Sequence, residues 1–332
     1  MRHKDRIVPI QTMQQAKIKV DTRPGQVQQF SSLAELKRAS RWLNEYSKNV
    51  TSQGGEDGIV EKALSVLPER DRWCVEFGAW DGKHLSNTFD LVDSKGYNVA
   101  LIEGDPAKYK ELWISYPHKD RAVFANAFVG WSEDDGLDQI LGKYPVPRAF
   151  DLLSVDVDGN DYHIWRATKS FQPKLVLIEY NPSIVNAVEF VQPAEASCNQ
   201  GSSPSSIVKL GREKGYELIA VTKHNLLFVQ REHYPLFGIP DNSLEVMRDE
   251  EPNYVFFGYD GTVFLQGSCC PEWHPGWRLS AREIQLLPGI LRTYPPNYTS
   301  AQKQLLRALF MLKYPGEGFK RMRSYFRRNL KA

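Results

Sequence analysis

The chain has 332 residues, 42% of them hydrophobic and 25% charged, with a net charge of +2. These proportions exclude a low-complexity chain and allow either one large globular domain with extensions or two small ones. No apolar run approaches the ~20 residues that span a bilayer, and the four cysteines lack the density of a disulfide framework and the Cys-x-x-Cys spacing of a zinc site.

The first residues carry no signal-peptide core, so a reduced, cytoplasmic setting is expected. Residues 301–332 hold nine Lys/Arg against one Glu, on a body that is otherwise net acidic. A basic tail on an acidic body points to a localised partner, and no nucleic-acid partner is expected.

In chain order, residues 1–30 are polar, glutamine-rich and aperiodic, which predicts a loosely ordered arm. Leu33, Leu36, Trp42, Leu43 and Tyr46 recur near helical spacing and predict a helix over 32–48, so 1–50 reads as an N-terminal arm and helix. Gly54-Gly55 breaks the chain, and Glu56-Asp57 opens a second helix to about Leu67, with acids suited to the helix dipole. From residue 72 strands and helices alternate. Strands are predicted near 73–78, 98–103, 121–126, 151–157, 174–180, 216–222 and 225–230, and helices over 84–95, 106–115, 134–142, 161–169 and 204–214. This alternation implies an α/β domain over 51–231, built on a doubly wound, mostly parallel sheet. Only Lys223-His224 separates the last two strands, so they must form an antiparallel hairpin.

Residues 232–300 are rich in Pro, Gly and aromatics and read as a cap region, with a hairpin over 254–265 turning at Asp260-Gly261. In 301–332, Leu305, Leu309 and Leu312 form one helical stripe. Phe319, Met322, Phe326 and Leu330 form another, among Lys320, Arg321, Arg323, Arg327, Arg328 and Lys331. Such a basic amphipathic helix either docks by its apolar side or lies on an anionic membrane surface.

In an open parallel sheet, ligands bind beyond the carboxyl ends of the strands. Strand one ends in Glu76 and Gly78, followed by Asp81 and Gly82, and glycines at such positions let a backbone approach a ligand closely. Strand two ends in Glu103, placed to accept hydrogen bonds from sugar hydroxyls, and strand three in Asn126, whose amide suits an adenine edge. The dinucleotide fingerprint Gly-x-Gly-x-x-Gly is absent. A carboxylate at Glu76 would repel a pyrophosphate but welcomes a cation, and S-adenosylmethionine carries both an ammonium and a sulfonium. A strand ending in a glycine turn for structural reasons alone is the alternative.

Asp156, Asp158 and Asp161 form an acidic cluster after strand four, and Asp156 and Asp158 project to one side if the strand persists. With Glu179 and Asn181 from strand five these acids offer oxygen ligands for Mg²⁺ or Mn²⁺, the expected metal set being Asp158, Glu179 and Asn181, and such a metal would polarise an acceptor hydroxyl. Alternatively, Asp158-Gly159-Asn160 is a turn and helix cap. His84 and His163 are the histidines placed for a general base, and Asp156, Asp158 and His84 are the candidate catalytic residues. His224 falls in a hairpin and His274 lies between Trp273 and Pro275. No Gly-x-Ser-x-Gly elbow, P-loop or His-Glu-x-x-His supports a hydrolase or a phosphotransferase. The segment Ser52–Ile59 either closes over a cofactor through Gln53 and Glu56 or is a plain interhelical turn.

Four ordered blocks, Ser52-Gln53-x-Gly55-Glu56-Asp57-Gly58-Ile59, Val75-Glu76-Phe77-Gly78-Ala79-x-Asp81-Gly82, Ile102-Glu103-Gly104-Asp105 and Asp156-Val157-Asp158-Gly159-Asn160-Asp161-Tyr162, resemble the FkbM-like branch of class I S-adenosylmethionine-dependent methyltransferases. The resemblance covers about 52–230. It implies a Rossmann-like methyltransferase fold: a seven-stranded, mostly parallel sheet with an antiparallel last strand, here with N- and C-terminal extensions. It also implies cofactor contacts at Glu76, Gly78, Glu103 and Asn126, and O-methylation of a hydroxyl on a sugar, glycolipid or secondary metabolite.

The second block departs from the commoner Asp-x-Gly-Ala-Asn-x-Gly form in having Glu76 and Trp80-Asp81, which leaves the acceptor open. The partner expected is a small-molecule or glycan acceptor, with peripheral contact at the inner membrane face through the basic tail. The competing reading is a non-catalytic scaffold of the same fold, working with a membrane or glycan-assembly partner.

Overall fold

The computed structural model describes residues 18–23, 26–270 and 276–315. They fall into two compact units divided between Glu250 and Glu251. Residues 1–17, His274 with its neighbours, and the basic stretch 316–332 lie outside the described residues.

The first unit opens with a hairpin of β1 (Ile18–Arg23) and β2 (Gln26–Phe30), in place of the loosely ordered arm expected there. The helix expected over 32–48 is two pieces, α1 (Leu33–Ser40) and a 3₁₀ turn over Trp42–Tyr46. The break is made by tertiary bonds: Arg41 donates to the Val246 carbonyl and pairs with Asp249, while Trp42 Nε1 donates to the Phe237 carbonyl.

Then follow α2 (Glu56–Val66), β3 (Trp73–Phe77), α3 (Phe89–Lys95), β4 (Asn98–Glu103), α4 (Pro106–Ser115) and β5 (Ala122–Asn126). Next come α5 (Leu137–Leu141), β6 (Ala149–Val155), α6 (Asp161–Ala167) and β7 (Gln172–Glu179). The unit ends with α7 (Pro204–Glu213), β8 (Tyr216–Val221), β9 (Asn225–Gln230) and α8 (Leu244–Met247).

The central sheet has seven strands in the order β5-β4-β3-β6-β7-β9-β8. All neighbours are parallel except β9, which runs antiparallel to both β7 and β8 and so lies inside the sheet. This is the expected α/β fold, a mostly parallel seven-stranded sheet with an antiparallel last strand. Strands that alternate with helices are covered on both faces, which is why Cys74–Phe77, Val99–Ile102 and Leu175–Ile178 are buried throughout. The two-residue turn Lys223-His224 closes the β8–β9 hairpin, with Thr222 N donating to Asn225 O at 2.9 Å.

Chain order reverses between β3 and β6, the switch point where a crevice opens beyond the carboxyl ends. Register levels those ends: Phe77 faces Ile102 and Val155, and Val155 faces Ile178. The next residue on each strand therefore stands in one row, namely Gly78, Glu103, Asp156 and Glu179. Asn126 joins the row as the register partner of Glu103.

In the second unit, β10 (Tyr254–Phe257) and β11 (Val263–Gln266) form the expected hairpin, followed by α9 (Ala281–Ile284) and α10 (Ser300–Lys313). A capping box of Thr299 and Gln302 starts α10, and Leu305 and Leu312 are exposed along it. The second stripe expected, from Phe319 to Leu330, lies outside the described residues. No helix among the described residues is long and apolar enough to cross a membrane.

Candidate active site at the switch point

Glu76 is buried, and its carboxylate is occupied from within the chain. Oε2 accepts from Ser86 Oγ and Thr88 Oγ1, each at 2.6 Å, and Oε1 from the Asn87 N–H at 2.8 Å. Burial raises the carboxyl's pKa, against the lowering effect of these three donors. Together with Asp81, which accepts from the Lys83 and His84 N–H groups, Glu76 folds 81–88 into a turn. The helix expected over 84–95 therefore starts only at Phe89, because side-chain oxygens hold the backbone that its first turn would need. His84 is exposed on this turn with its ring edge-on to Trp80, and no hydrogen bond among the described residues links it to the acidic row.

Gly78 has φ +73°, and a Cβ there would lie 2.3 Å from the Asp156 carbonyl oxygen. The backbones of the first and fourth parallel elements thus touch at the switch point, a contact only glycine permits. A Cβ on Gly82, at φ +74°, would strike Tyr116 and Leu112 of the α4 region at 2.6–2.7 Å. Gly78 serves the sheet edge and Gly82 the packing beneath it.

Glu103 is buried and accepts from the Trp80 N–H through Oε2 and the Asp105 N–H through Oε1, each at 2.8 Å. A carboxylate has about four acceptor positions, so each oxygen keeps capacity for a further donor. Asn126 uses its amide N–H groups on the carbonyls of Glu103 (2.8 Å) and Gly104 (3.3 Å), which leaves Oδ1 as its acceptor. Phe128 covers Gly104 so closely that a Cβ there would meet its ring at 2.3 Å, yet the ring is 76% exposed. An acid with spare acceptor capacity, an amide oxygen and an exposed ring face suit the hydroxyls and base of an adenosine.

β6 ends at Val155, so Asp156 and Asp158 lie in a turn and do not alternate on a strand as expected. Asp158 is exposed at φ +56°. Asp161 turns back on this loop, accepting from the Val157 and Gly159 N–H groups at 2.9 Å each. The carboxylates brought together are those of Asp156, Asp161 and Glu179, with one oxygen from each within 4.8 Å of the others. This differs from the expected metal set of Asp158, Glu179 and Asn181. Asn181 is tied into its own loop, donating to the Gln200 carbonyl and accepting from the Ser183 N–H and hydroxyl. The expected set assumed that the strand geometry continued; the turn at 156–160 exchanged Asp158 for Asp161.

Burial first, then mutual repulsion, raises the cluster: Asp156 is pushed up to about 8 and Glu179 to about 10. Asp161 is pushed up to about 6 by burial, against the N–H groups it accepts. Among the described residues no donor reaches the Glu179 carboxylate. Three close, buried acids at the carboxyl ends of the strands suit a positively charged guest, either an organic ammonium or a divalent metal.

His163 is engaged elsewhere, with Nε2 2.8 Å from the Gln192 carbonyl and its ring against Trp131. The segment 52–59 is pinned. Asp57 Oδ2 accepts from the N–H groups of Val50, Thr51 and Ser52 and from the Ser52 hydroxyl, at 2.7–2.9 Å. Glu56 accepts from Gly54 N–H, Thr222 Oγ1 and Asn225 Nδ2. The four cysteines are unpaired. Asp161 was expected in the acidic cluster but not in the metal set, and the donors that occupy Glu76 were not foreseen; the Ser86-Asn87-Thr88 run, rich in local hydrogen-bonding side chains, was the signal for them.

No protein-family model matches the chain, and no curated relative does. Solved structures similar to it include S-adenosylmethionine-dependent methyltransferases. One, from Aquifex aeolicus, is 10% identical over 59% of this chain and 96% of that one, with a TM-score of 0.32. The glycopeptide N-methyltransferase MtfA, complexed with S-adenosylmethionine, is 14% identical over 55% of this chain and 96% of that one, with a TM-score of 0.34. The mitomycin 7-O-methyltransferase MmcR is 13% identical over 60% of this chain and 54% of that one, with a TM-score of 0.30.

Proposed function

We propose that the chain is an S-adenosylmethionine-dependent methyltransferase that methylates a hydroxyl oxygen on a sugar, glycolipid or secondary metabolite. The observation that carries this reading is the row of Gly78, Glu103, Asp156 and Glu179 along one edge of the switch point. When bound, S-adenosylmethionine supplies an electrophilic methyl group on a sulfonium. Glu103 accepts the ribose hydroxyls while Trp80 and Asp105 hold its carboxylate in place. Asn126 Oδ1 accepts from the adenine amino group. Glu76 acts by shaping the 81–88 turn, and Gly78 and Gly82 keep that floor low.

The acidic cluster faces the acceptor. Asp156, poised near neutral pH, takes the hydroxyl proton as the acceptor oxygen bonds to the methyl carbon and the carbon–sulfur bond breaks. Glu179 and Asp161 flank it, and the same trio would hold Mg²⁺ or Mn²⁺, whose charge would polarise the acceptor oxygen.

Calorimetry with S-adenosylmethionine, then labelled methyl transfer into cell-extract glycans and small molecules, tests the reading. Absence of binding by folded protein overturns it. Loss of turnover in EDTA with cofactor binding retained assigns the trio to a metal, and unchanged turnover assigns Asp156 to base catalysis alone.

A further inference from the structure

A second concave site lies on the flank of the sheet. A groove of about 880 Å³ runs between the α5 and α6 regions. Its upper end carries Trp131, which follows β5, and His163, in the first turn of α6. Its lower end carries Arg148, immediately before β6, and Lys169-Ser170, beyond the end of α6.

Lys143, Arg148, Arg166 and Lys169 line the groove, and all four are exposed. None of the four has an ion-pair partner among the described residues. Arg148 is steadied by lying over the Phe171 ring at 4.5 Å. Two acids share the groove. Asp138 is committed to the backbone, with Oδ2 accepting from the N–H groups of Lys169 (2.8 Å) and Ser170 (2.9 Å), and Glu133 stands exposed at the rim.

Like charges that gather without partners cost energy unless an anion answers them, and arginine forks suit the oxygens of a tetrahedral oxyanion. The volume is that of a small-molecule site. Glu133 and Asp138 interrupt the positive surface and would repel a continuous phosphodiester strand. We propose that this groove binds a small molecule bearing two or more phosphate or sulfate groups. Four cations along one groove supply charge for more than one such group.

The inference does not depend on methyl transfer, and its test uses no methyl donor. Calorimetry of the full chain with inorganic pyrophosphate and with a disulfated disaccharide reads binding directly. At least one probe is expected to bind, more weakly as salt rises. Arg148→Glu combined with Arg166→Glu is expected to lower that affinity by about tenfold or more. Lys95→Glu combined with Lys209→Glu makes the same charge change outside the groove and should leave affinity within about twofold. Because Arg148 packs on Phe171, Lys143→Glu combined with Lys169→Glu repeats the test without disturbing a ring contact. Preference for pyrophosphate identifies a phosphate ligand, and preference for the disaccharide a sulfate one. The proposal is overturned if neither probe binds, if groove and control variants lose affinity equally, or if only phosphatidylserine vesicles or single-stranded RNA bind.

Discussion

Gly78 and Glu103 show how single residues set the site. Gly78 meets the Asp156 carbonyl at φ +73°, so Gly78→Ala adds a clash to a left-handed backbone. It is expected to cost about 1–3 kcal/mol, read as a lower urea midpoint with an unchanged m-value. Glu103→Ala removes the acceptor for the Trp80 and Asp105 N–H groups as well as for a ribose. Cofactor affinity should fall by about 1.5–3 kcal/mol, measured by calorimetry, and Glu103→Gln should recover part of it. An unchanged affinity in Glu103→Ala would remove Glu103 from the cofactor site. Both residues were legible in the sequence, since a glycine and an acid at strand ends need only the strands to be placed. Glu76 was legible in position only. That Ser86, Asn87 and Thr88 come back to fill its carboxylate depends on how the turn closes.

Elements were legible where hydrophobic pattern ruled and less so where local hydrogen bonds did. The strands were found within a few residues because a strand covered on both faces is an apolar run bounded by turns. α3 and α5 are shorter than their patterns suggested. Asp81 and Glu76 take the backbone ahead of α3, and Asp135, bonded to the Ser132 N–H and hydroxyl, takes that ahead of α5. The segment ahead of α2 shows the same chemistry used for anchoring. Its Asp57 gathers three N–H groups and a hydroxyl in a buried place, so Asp57→Ala would strand donors without a partner. A loss of about 2–4 kcal/mol is expected in urea unfolding; a loss below about 1 kcal/mol would show that Asp57 does not anchor this segment.

At the scale of the whole molecule, the acidic cluster is a product of folding and should be felt in stability. Asp156, Asp161 and Glu179 have pKa values raised above those of an unfolded chain, so the folded state holds more protons above about pH 4. Their contribution is intact below that pH and is lost as pH rises through about 6 for Asp161 and about 8 for Asp156. The apo-protein's melting temperature is therefore expected to fall by about 2–4 °C or more between pH 6 and pH 9, and less in Glu179→Gln. Equal slopes in the two proteins would show that the three acids do not interact.

The sequence by itself determined the α/β class, the run of seven strands, the antiparallel final hairpin and the acids at the strand ends, because each follows from local pattern and spacing. Only the tertiary structure decided that Asp161, and not Asp158, joins Asp156 and Glu179. Only it showed that Glu76 is spent on its own turn and that four cations share a groove beside α6. Those outcomes depend on register and on where a loop doubles back, which bring together residues far apart in the chain and leave no periodic trace in it.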